Sequence, residues 1–490
     1  VSGSATVRSS LQVPLVEVVS RLSPDKIIGE VAGVVISSVT YDHRTVTPGA
    51  LHCCLPGTRV DGHDFAPAAA RAGAVAFVCE RPLAGEAGDV VQLVVGPGGA
   101  RPAMAVASCV LWSDPASSLK TVGVTGTNGK TTTTYFLRSV LEAHGWATGV
   151  IGTLGGARTT PEAPDLQRAL AHARDSGRMA VALEVTSHAL SQNRLDGYRH
   201  DVAVFTNLSQ DHLDYHGTME SYFAAKERLF TPEHALRAVV NADDPYGRRL
   251  IEAAAIPTSP FSLAEAEGLE VGLVESRFRL EDEQVRLRPG GEINVRNALA
   301  AAGAARALGV PATTIAAGLS QAEGPSGRLE VVPNQLGAQV VVDYAHTPAG
   351  LAQVLGEARA EAETRGGRVI VVFGCGGDRD REKRPVMGSI ATRLADLAVL
   401  TSDNPRSEDP LAIIDQVRAG CDGGARLVVE PDRRQAIATA LESADAGDVV
   451  VVAGKGHETV QEIGGNSIAF SDRGVIGEEL ERIRREGAGG

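Results

Sequence analysis

The segment Val124-Thr125-Gly126-Thr127-Asn128-Gly129-Lys130-Thr131 joins an apolar run to a helical pattern. Glycines there let backbone N–H groups approach phosphate oxygens, and the helix N-terminus adds a positive dipole. Lys130 has the reach for the β- and γ-phosphates, and Thr131 carries a hydroxyl suited to Mg²⁺. The first glycine of GxxxxGK[ST] is replaced by Val124, so the residues alone indicate a nucleoside triphosphate and little more.

Two further groups follow strand-like runs, where open α/β sheets place functional side chains. Glu184 opens Glu184-Val-Thr-Ser-His188, and His212 closes Thr206-Asn-Leu-Ser-Gln-Asp-His212. With Thr131 they can bracket a hard cation. Near the C-terminus, Gly374-Cys-Gly-Gly-Asp-Arg379, Asp403-Asn404-Pro405-Arg406 and Gly454-Lys-Gly-His-Glu458 each follow an apolar run. The three therefore share one rim of a parallel sheet. Arginines there can grip carboxylates bidentately, and a carboxylate can take an ammonium. The first of these segments lacks GxGxxG spacing, so a nicotinamide site is rejected.

These groups need scaffolds. A chain of 490 residues fits roughly three domains. Ser113-Asp-Pro-Ala-Ser-Ser118 reads as a polar linker and Gly324-Pro-Ser-Gly327 as a second boundary, giving domains 1–115, 116–327 and 328–490. The first mixes short strands (35–40, 74–79) with a helix over 65–72. The second alternates strands (119–125, 179–185, 201–205, 238–241) with helices such as 131–143, as in a doubly wound parallel sheet. The third repeats that style with strands at 339–343, 368–373, 397–401 and 448–452. The fold class is α/β throughout.

At this point the motifs resemble the Mur ligases, ATP-dependent amide-forming enzymes of peptidoglycan precursor synthesis. Gly126-Thr-Asn-Gly-Lys130-Thr-Thr132 is similar to their phosphate loop, which accounts for Val124, and the resemblance runs from about Ser38 to Arg473. It implies a small UDP-binding domain, a central P-loop ATPase domain and a C-terminal Rossmann-like domain that accepts an amino acid. Asp42-His-Arg44 and Asp61-Gly-His-Asp-Phe65 resemble the tract of the diaminopimelate- or lysine-adding branch, with His43 where Ser is usual.

By the same resemblance, ATP is bound by Gly126, Thr127, Asn128, Gly129, Lys130, Thr131, Thr132, Asn294, Asn297, Arg328 and Asp343. Thr159, Thr160, Thr186, Gln192 and Arg194 are expected to grip UDP-N-acetylmuramoyl-L-Ala-D-Glu. Arg379, Asp403, Asn404, Arg406, Gly454 and Glu458 are expected to bind meso-diaminopimelate, since the Asp-Asn-Pro-Arg form accompanies that substrate. Lys130, Glu184, His212 and Lys226 are the catalytic set, with Thr131, Glu184, His212 and a carbamylated Lys226 on Mg²⁺. Read without the family, Lys226 is a lysine on an exposed helical face and Arg194 a surface arginine.

The implied reaction forms an amide on the γ-carboxylate of D-Glu through an acyl phosphate. A lysine-adding relative, or in another class a P-loop switch or kinase, is the alternative. A net charge of −13 disfavours a nucleic-acid partner. No run approaches the ~20 apolar residues of a membrane span, and Val1–Ser10 lack the pattern of a signal peptide. Six cysteines without CxxC spacing suit a reducing compartment. A monomeric cytoplasmic enzyme is expected.

Overall fold

The computed structural model describes residues 11–488 except 58, 59, 84 and 157. The reading of Val1–Ser10 lies outside the described residues. Three sheets follow one another along the chain. The first holds β1 (Lys26–Ile28), β2 (Ser38–Thr40), β3 (Ala50–Cys53), β4 (Ala74–Cys79) and β5 (Val91–Val94) in the order β1-β5-β4-β3-β2. All its pairs are parallel except β1 with β5.

The second sheet is wholly parallel. It comprises β6 (Lys120–Thr125), β7 (Thr148–Ile151), β8 (Ala180–Glu184), β9 (Val202–Phe205), β10 (Ala238–Asn241) and β11 (Thr258–Phe261), ordered β11-β10-β9-β6-β8-β7. The chain leaves β6 between β8 and β9, so the loops after these three strands converge at one sheet end. Side chains alternate between two cores: Ala180 and Ala182 enter one, Val181 and Leu183 the other. Each fully buried Val or Leu contributes roughly 1.5–3 kcal/mol relative to exposure.

Helix α1 (Lys130–Ala143) follows β6 and buries Phe136, Leu137, Val140 and Leu141 at 3.6-residue spacing. Helix α2 (Met219–Glu227) lies over the opposite face. Helix α3 (Glu292–Ala307) is built largely of alanine, which lets it lie close against α1 and the sheet; Gly303 backs onto Val239. An antiparallel sheet of Glu267–Glu270, Ser276–Leu280 and Glu283–Leu287, which sequence analysis did not anticipate, adds Phe278, Leu280, Val285 and Leu287 to that core.

The third sheet comprises β12 (Glu330–Val332), β13 (Gln339–Asp343), β14 (Val369–Phe373), β15 (Leu397–Leu400), β16 (Arg426–Val429) and β17 (Val449–Ala453). Its order is β12-β13-β17-β14-β15-β16, with β12 antiparallel and the rest parallel. Helix α4 (Pro348–Arg365) covers one face.

Two expectations change in detail. The strand read over 35–40 is broken at Ser37, whose N–H donates to the Gly49 carbonyl. Val35–Ile36 pairs with Val13–Pro14 and β2 with β3, so the two halves serve different sheets. The polar stretch 113–118 is not a loose linker. Pro115–Ser118 forms a helical turn with Ala116 in the core, and Arg21 bridges to Asp114 at 2.5 Å.

Candidate active site

The phosphate loop is held by the segment after β9. Thr127 N–H donates to Asn207 O at 2.9 Å and Asn128 N–H to Asn207 Oδ1 at 3.0 Å; Thr206 Oγ1 donates to Asn128 O at 2.6 Å. Two glycines are dictated by close approach. A side chain on Gly126 would strike Thr206, and one on Gly129, at φ +86°, would strike the Asn297 amide of α3. Asn294 lies one turn before Asn297 and accepts from its amide at 3.4 Å. Thr132 is buried in the first turn of α1.

Lys130 Nζ donates to the carbonyls of Gly126 (2.9 Å) and Thr127 (2.8 Å), folding back over the loop. Burial holds its ammonium below the ordinary lysine value; Glu184 opposes the shift and Arg328 adds to it. Thr131 Oγ1 donates to Glu184 Oε2 at 2.9 Å, and Thr153 donates to both oxygens of Glu184, through its N–H at 2.9 Å and its hydroxyl at 3.1 Å.

Lys226 overturns its plain reading. It is 1 % exposed, and Nζ donates to Gly126 O at 2.9 Å beneath the phosphate loop. Helix α2 turns Tyr222, Phe223, Ala225 and Lys226 inward. Burial, reinforced by Lys130, pushes the Lys226 ammonium well below the usual lysine range. Arg194 is likewise buried, donating to Thr160 O and Gln192 Oε1, both at 2.8 Å, and pairing with Glu162 at 2.9 Å. Thr160 Oγ1 donates to Glu184 O at 2.8 Å and lies 3.2 Å from Thr186 Oγ1; Thr159 Oγ1 lies 3.1 Å from Thr153 Oγ1. The five residues expected to grip one ligand thus sit beside the loop.

His212 adopts a left-handed backbone at φ +54°, with its ring 5.0 Å from that of His188 and Nε2 3.5 Å from Asp211. Burial pushes it down to about 4, leaving the ring neutral. Among the described residues, no three His, Cys, Asp or Glu side chains are grouped to hold a metal.

On the third sheet, the loops after β14, β15 and β17 meet on one rim. Gly374 and Gly377 back directly onto the segment 401–405, so the glycine run serves close loop packing. Arg379 and Arg406 both flank Gly376. Arg379 Nη1 donates to Asp378 O at 2.9 Å; Arg406 donates to Gly377 O at 2.8 Å and pairs with Glu462 at 3.1 Å. Asn404 Nδ2 donates to Glu458 Oε2 at 2.7 Å. Gly454, at φ +113°, leaves room for Asp403 Oδ2, a buried oxygen without a hydrogen bond.

The chain matches known proteins along most of its length. Three family models fit successive parts: the Mur ligase family catalytic domain over residues 35–107, the Mur ligase middle domain over 124–305, and the Mur ligase glutamate ligase domain over 327–456. The UDP-N-acetylmuramoyl-L-alanyl-D-glutamate–2,6-diaminopimelate ligase of Synechococcus elongatus is 44% identical over 466 residues, covering 89% of this chain and 92% of that protein. The chain belongs to the Mur ligase family.

The Geobacillus thermodenitrificans ligase of the same name is also 44% identical, over 90% of this chain and 94% of its own. A solved structure of a UDP-N-acetylmuramoyl-L-alanyl-D-glutamate–2,6-diaminopimelate ligase superposes with TM-score 0.64 at 33% identity, covering 92% of this chain and 95% of that one. MurF from Acinetobacter baumannii, at 20% identity and TM-score 0.63, shares the fold.

In this Mur ligase the oxygen donors Thr131 and Glu184 fit Mg²⁺, which takes few protein ligands and keeps water and phosphate oxygens for the rest. Asp343, expected at the nucleotide, has both carboxylate oxygens engaged by the backbone around it. Its oxygens accept from Leu329 N–H (2.7 Å) and Ala345 N–H (2.8 Å), bracing the entry to the third lobe. Arg328 beside it stacks over the Tyr344 ring at 4.4 Å and acts on Lys130. Sequence analysis missed Glu162, buried among Arg101, Arg158 and Arg194. Its one signal was a lone acid just after Thr159-Thr160-Pro161. His43 stacks on Phe65 with centroids 4.3 Å apart, a pairing that a serine there would not make.

Proposed function

We propose that this Mur ligase adds meso-diaminopimelate to the γ-carboxylate of D-Glu in UDP-N-acetylmuramoyl-L-Ala-D-Glu, consuming ATP. The observation that carries the reading is the pairing of a Lys130/Thr131/Glu184 phosphate site with an Arg379/Asn404/Arg406/Glu458 rim on separate lobes. The first lobe, to residue 115, takes the UDP moiety; the lobe to residue 327 takes ATP; the remainder takes the amino acid. The working form is a cytoplasmic monomer. No helix among the described residues is long and apolar enough to cross a membrane.

The γ-carboxylate attacks the γ-phosphorus, the bond to ADP breaks, and an acyl phosphate forms. The amine of diaminopimelate then attacks the acyl carbon, phosphate leaves, and the amine's proton passes to solvent. Lys130 leaves its two carbonyl partners for the transferring phosphoryl group and offsets its charge. Thr131 and Glu184 would hold Mg²⁺, which would supply further charge neutralisation on the phosphate oxygens. Arg194, fixed by Glu162 and Gln192, presents a guanidinium to the dipeptide. Lys226 in its neutral form adds CO₂ to give a carbamate and a proton, converting a donor beneath the loop into an oxygen ligand. The two bound reactants gain from proximity as the lobes close.

Phosphate release is measured with ATP, Mg²⁺ and UDP-N-acetylmuramoyl-L-Ala-D-Glu, adding meso-diaminopimelate or L-lysine. Release that needs the nucleotide-peptide and rises with diaminopimelate alone, with an amide product by mass, is expected. A preference for lysine overturns the role given to Arg379 and Arg406. Turnover indifferent to both amino acids overturns the ligase reading.

A further inference from the structure

Between the rim residues and the sheet lies a lysine that no ligand can touch. Lys455 is 0 % exposed, one residue past Gly454. Its Nζ donates to Asn404 Oδ1 at 3.0 Å, to Glu458 Oε2 at 2.9 Å and to Val460 O at 2.7 Å. An ammonium has three N–H donors and no acceptor, so this set satisfies it completely. A buried charge persists only with such pairing.

The three bonds decide how the rim is presented. An amide side chain can face either way, and the network chooses. Here Asn404 Oδ1 accepts from Lys455 and from the Glu462 N–H (3.0 Å), so Nδ2 must point outward to Glu458 Oε2 at 2.7 Å. Glu458 Oε2 thus carries both the Lys455 and Asn404 bonds, and neither residue bonds to Oε1. One carboxylate oxygen of Glu458 and one amide hydrogen of Asn404 are left over.

We propose that Lys455 is a positioning residue for the incoming amino acid: it fixes Asn404 and Glu458 so that Glu458 Oε1 faces the ligand's ammonium and the second Asn404 N–H its carboxylate. The proposal rests on the assignment of Asn404 and Glu458 to the amino-acid site. The Val460 bond extends the hold to the hairpin of Val460–Ile463 and Asn466–Ala469, whose Glu462 also pairs with Arg406. One buried cation therefore aligns three of the rim's polar groups.

The test compares Lys455→Met and Lys455→Gln with Glu458→Gln and Asn404→Ala in the full chain. KM is read separately for diaminopimelate, ATP and the nucleotide-peptide. Both lysine variants are expected to raise KM for diaminopimelate about tenfold or more, with the other two KM values within about twofold. ADP formation before diaminopimelate is added should stay at the wild-type level. Equal rises in all three KM values, or an unchanged KM for diaminopimelate while the Glu458 and Asn404 variants raise it, overturns the proposal. If Glu458→Gln and Asn404→Ala also leave that KM unchanged, the assignment of the rim itself falls, and the proposal with it. Should neither neutral variant fold, Lys455→Arg, which keeps the charge but not the three-bond spacing, is read the same way.

Discussion

Glu357 Oε1 accepts a hydrogen bond from the Ile293 N–H at 3.0 Å, tying α4 of the third lobe to the first turn of α3 in the second. One helical turn on, Glu361 Oε2 accepts from the Leu273 N–H at 3.1 Å. Two glutamates at i, i+4 thus clamp one lobe to the next, close to the helix that carries Asn294 and Asn297.

Burial pushes Glu357 up from 4.5 to about 7, with Asp343 and Glu292 adding to the shift, and its Oε2 has no hydrogen bond. In that window the folded chain keeps a proton that the unfolded chain has lost. The contribution to stability is therefore full below the unfolded value and is lost as pH rises through about 7. Urea midpoints from about pH 5 to about pH 8 are expected to fall in this range, and Glu357→Gln to flatten the slope. An unaltered slope in the variant assigns the pH dependence to other groups.

Lys226 gives a second prediction. Its place beneath Gly126 and its depressed ammonium favour the neutral amine, which is the form that reacts with CO₂. Lys226→Ala is expected to lower kcat about a hundredfold. Wild-type turnover should drop in CO₂-free buffer and recover on adding bicarbonate. A wild-type rate insensitive to CO₂ counts against the carbamate.

A third concerns the pair Arg433–Asp472, both 0 % exposed at the side chain, 2.7 Å apart. Arg433 also donates to Ala453 O at 2.9 Å, at the end of the strand that leads to Gly454. Removing one member leaves the other charge buried alone, which costs about 3–5 kcal/mol. Asp472→Ala should lower the denaturation midpoint of the third lobe by a corresponding amount, with Arg433→Met less damaging. Equal, small losses in both would show the pair to be hydrated.

The inner strands of the two larger sheets were readable because parallel strands covered on both faces appear as unbroken apolar runs, and β10 and β13 match their expected bounds, whereas the edge strands β7, β11, β12 and β16 were not read. The phosphate loop was readable because its chemistry is local. The burial of Lys226 was not, although resemblance singled the residue out: it comes from the sheet face that α2 packs against, which no local pattern encodes. Glu357 and Glu361 look like ordinary solvent-facing acids of a long helix, and only the neighbouring lobe makes them otherwise. Lys455 was quoted within its glycine motif, yet its role depends on Asn404, about fifty positions earlier in the chain.

Arg328 stands where two ligands would otherwise be strangers. Its guanidinium rests on Tyr344, a ring that feels the charge of Glu458, while the positive charge of Arg328 itself bears on Lys130 over the phosphate loop. One side chain at the start of the third lobe thus touches the ring beside the rim and lends its charge to the phosphate loop of the second.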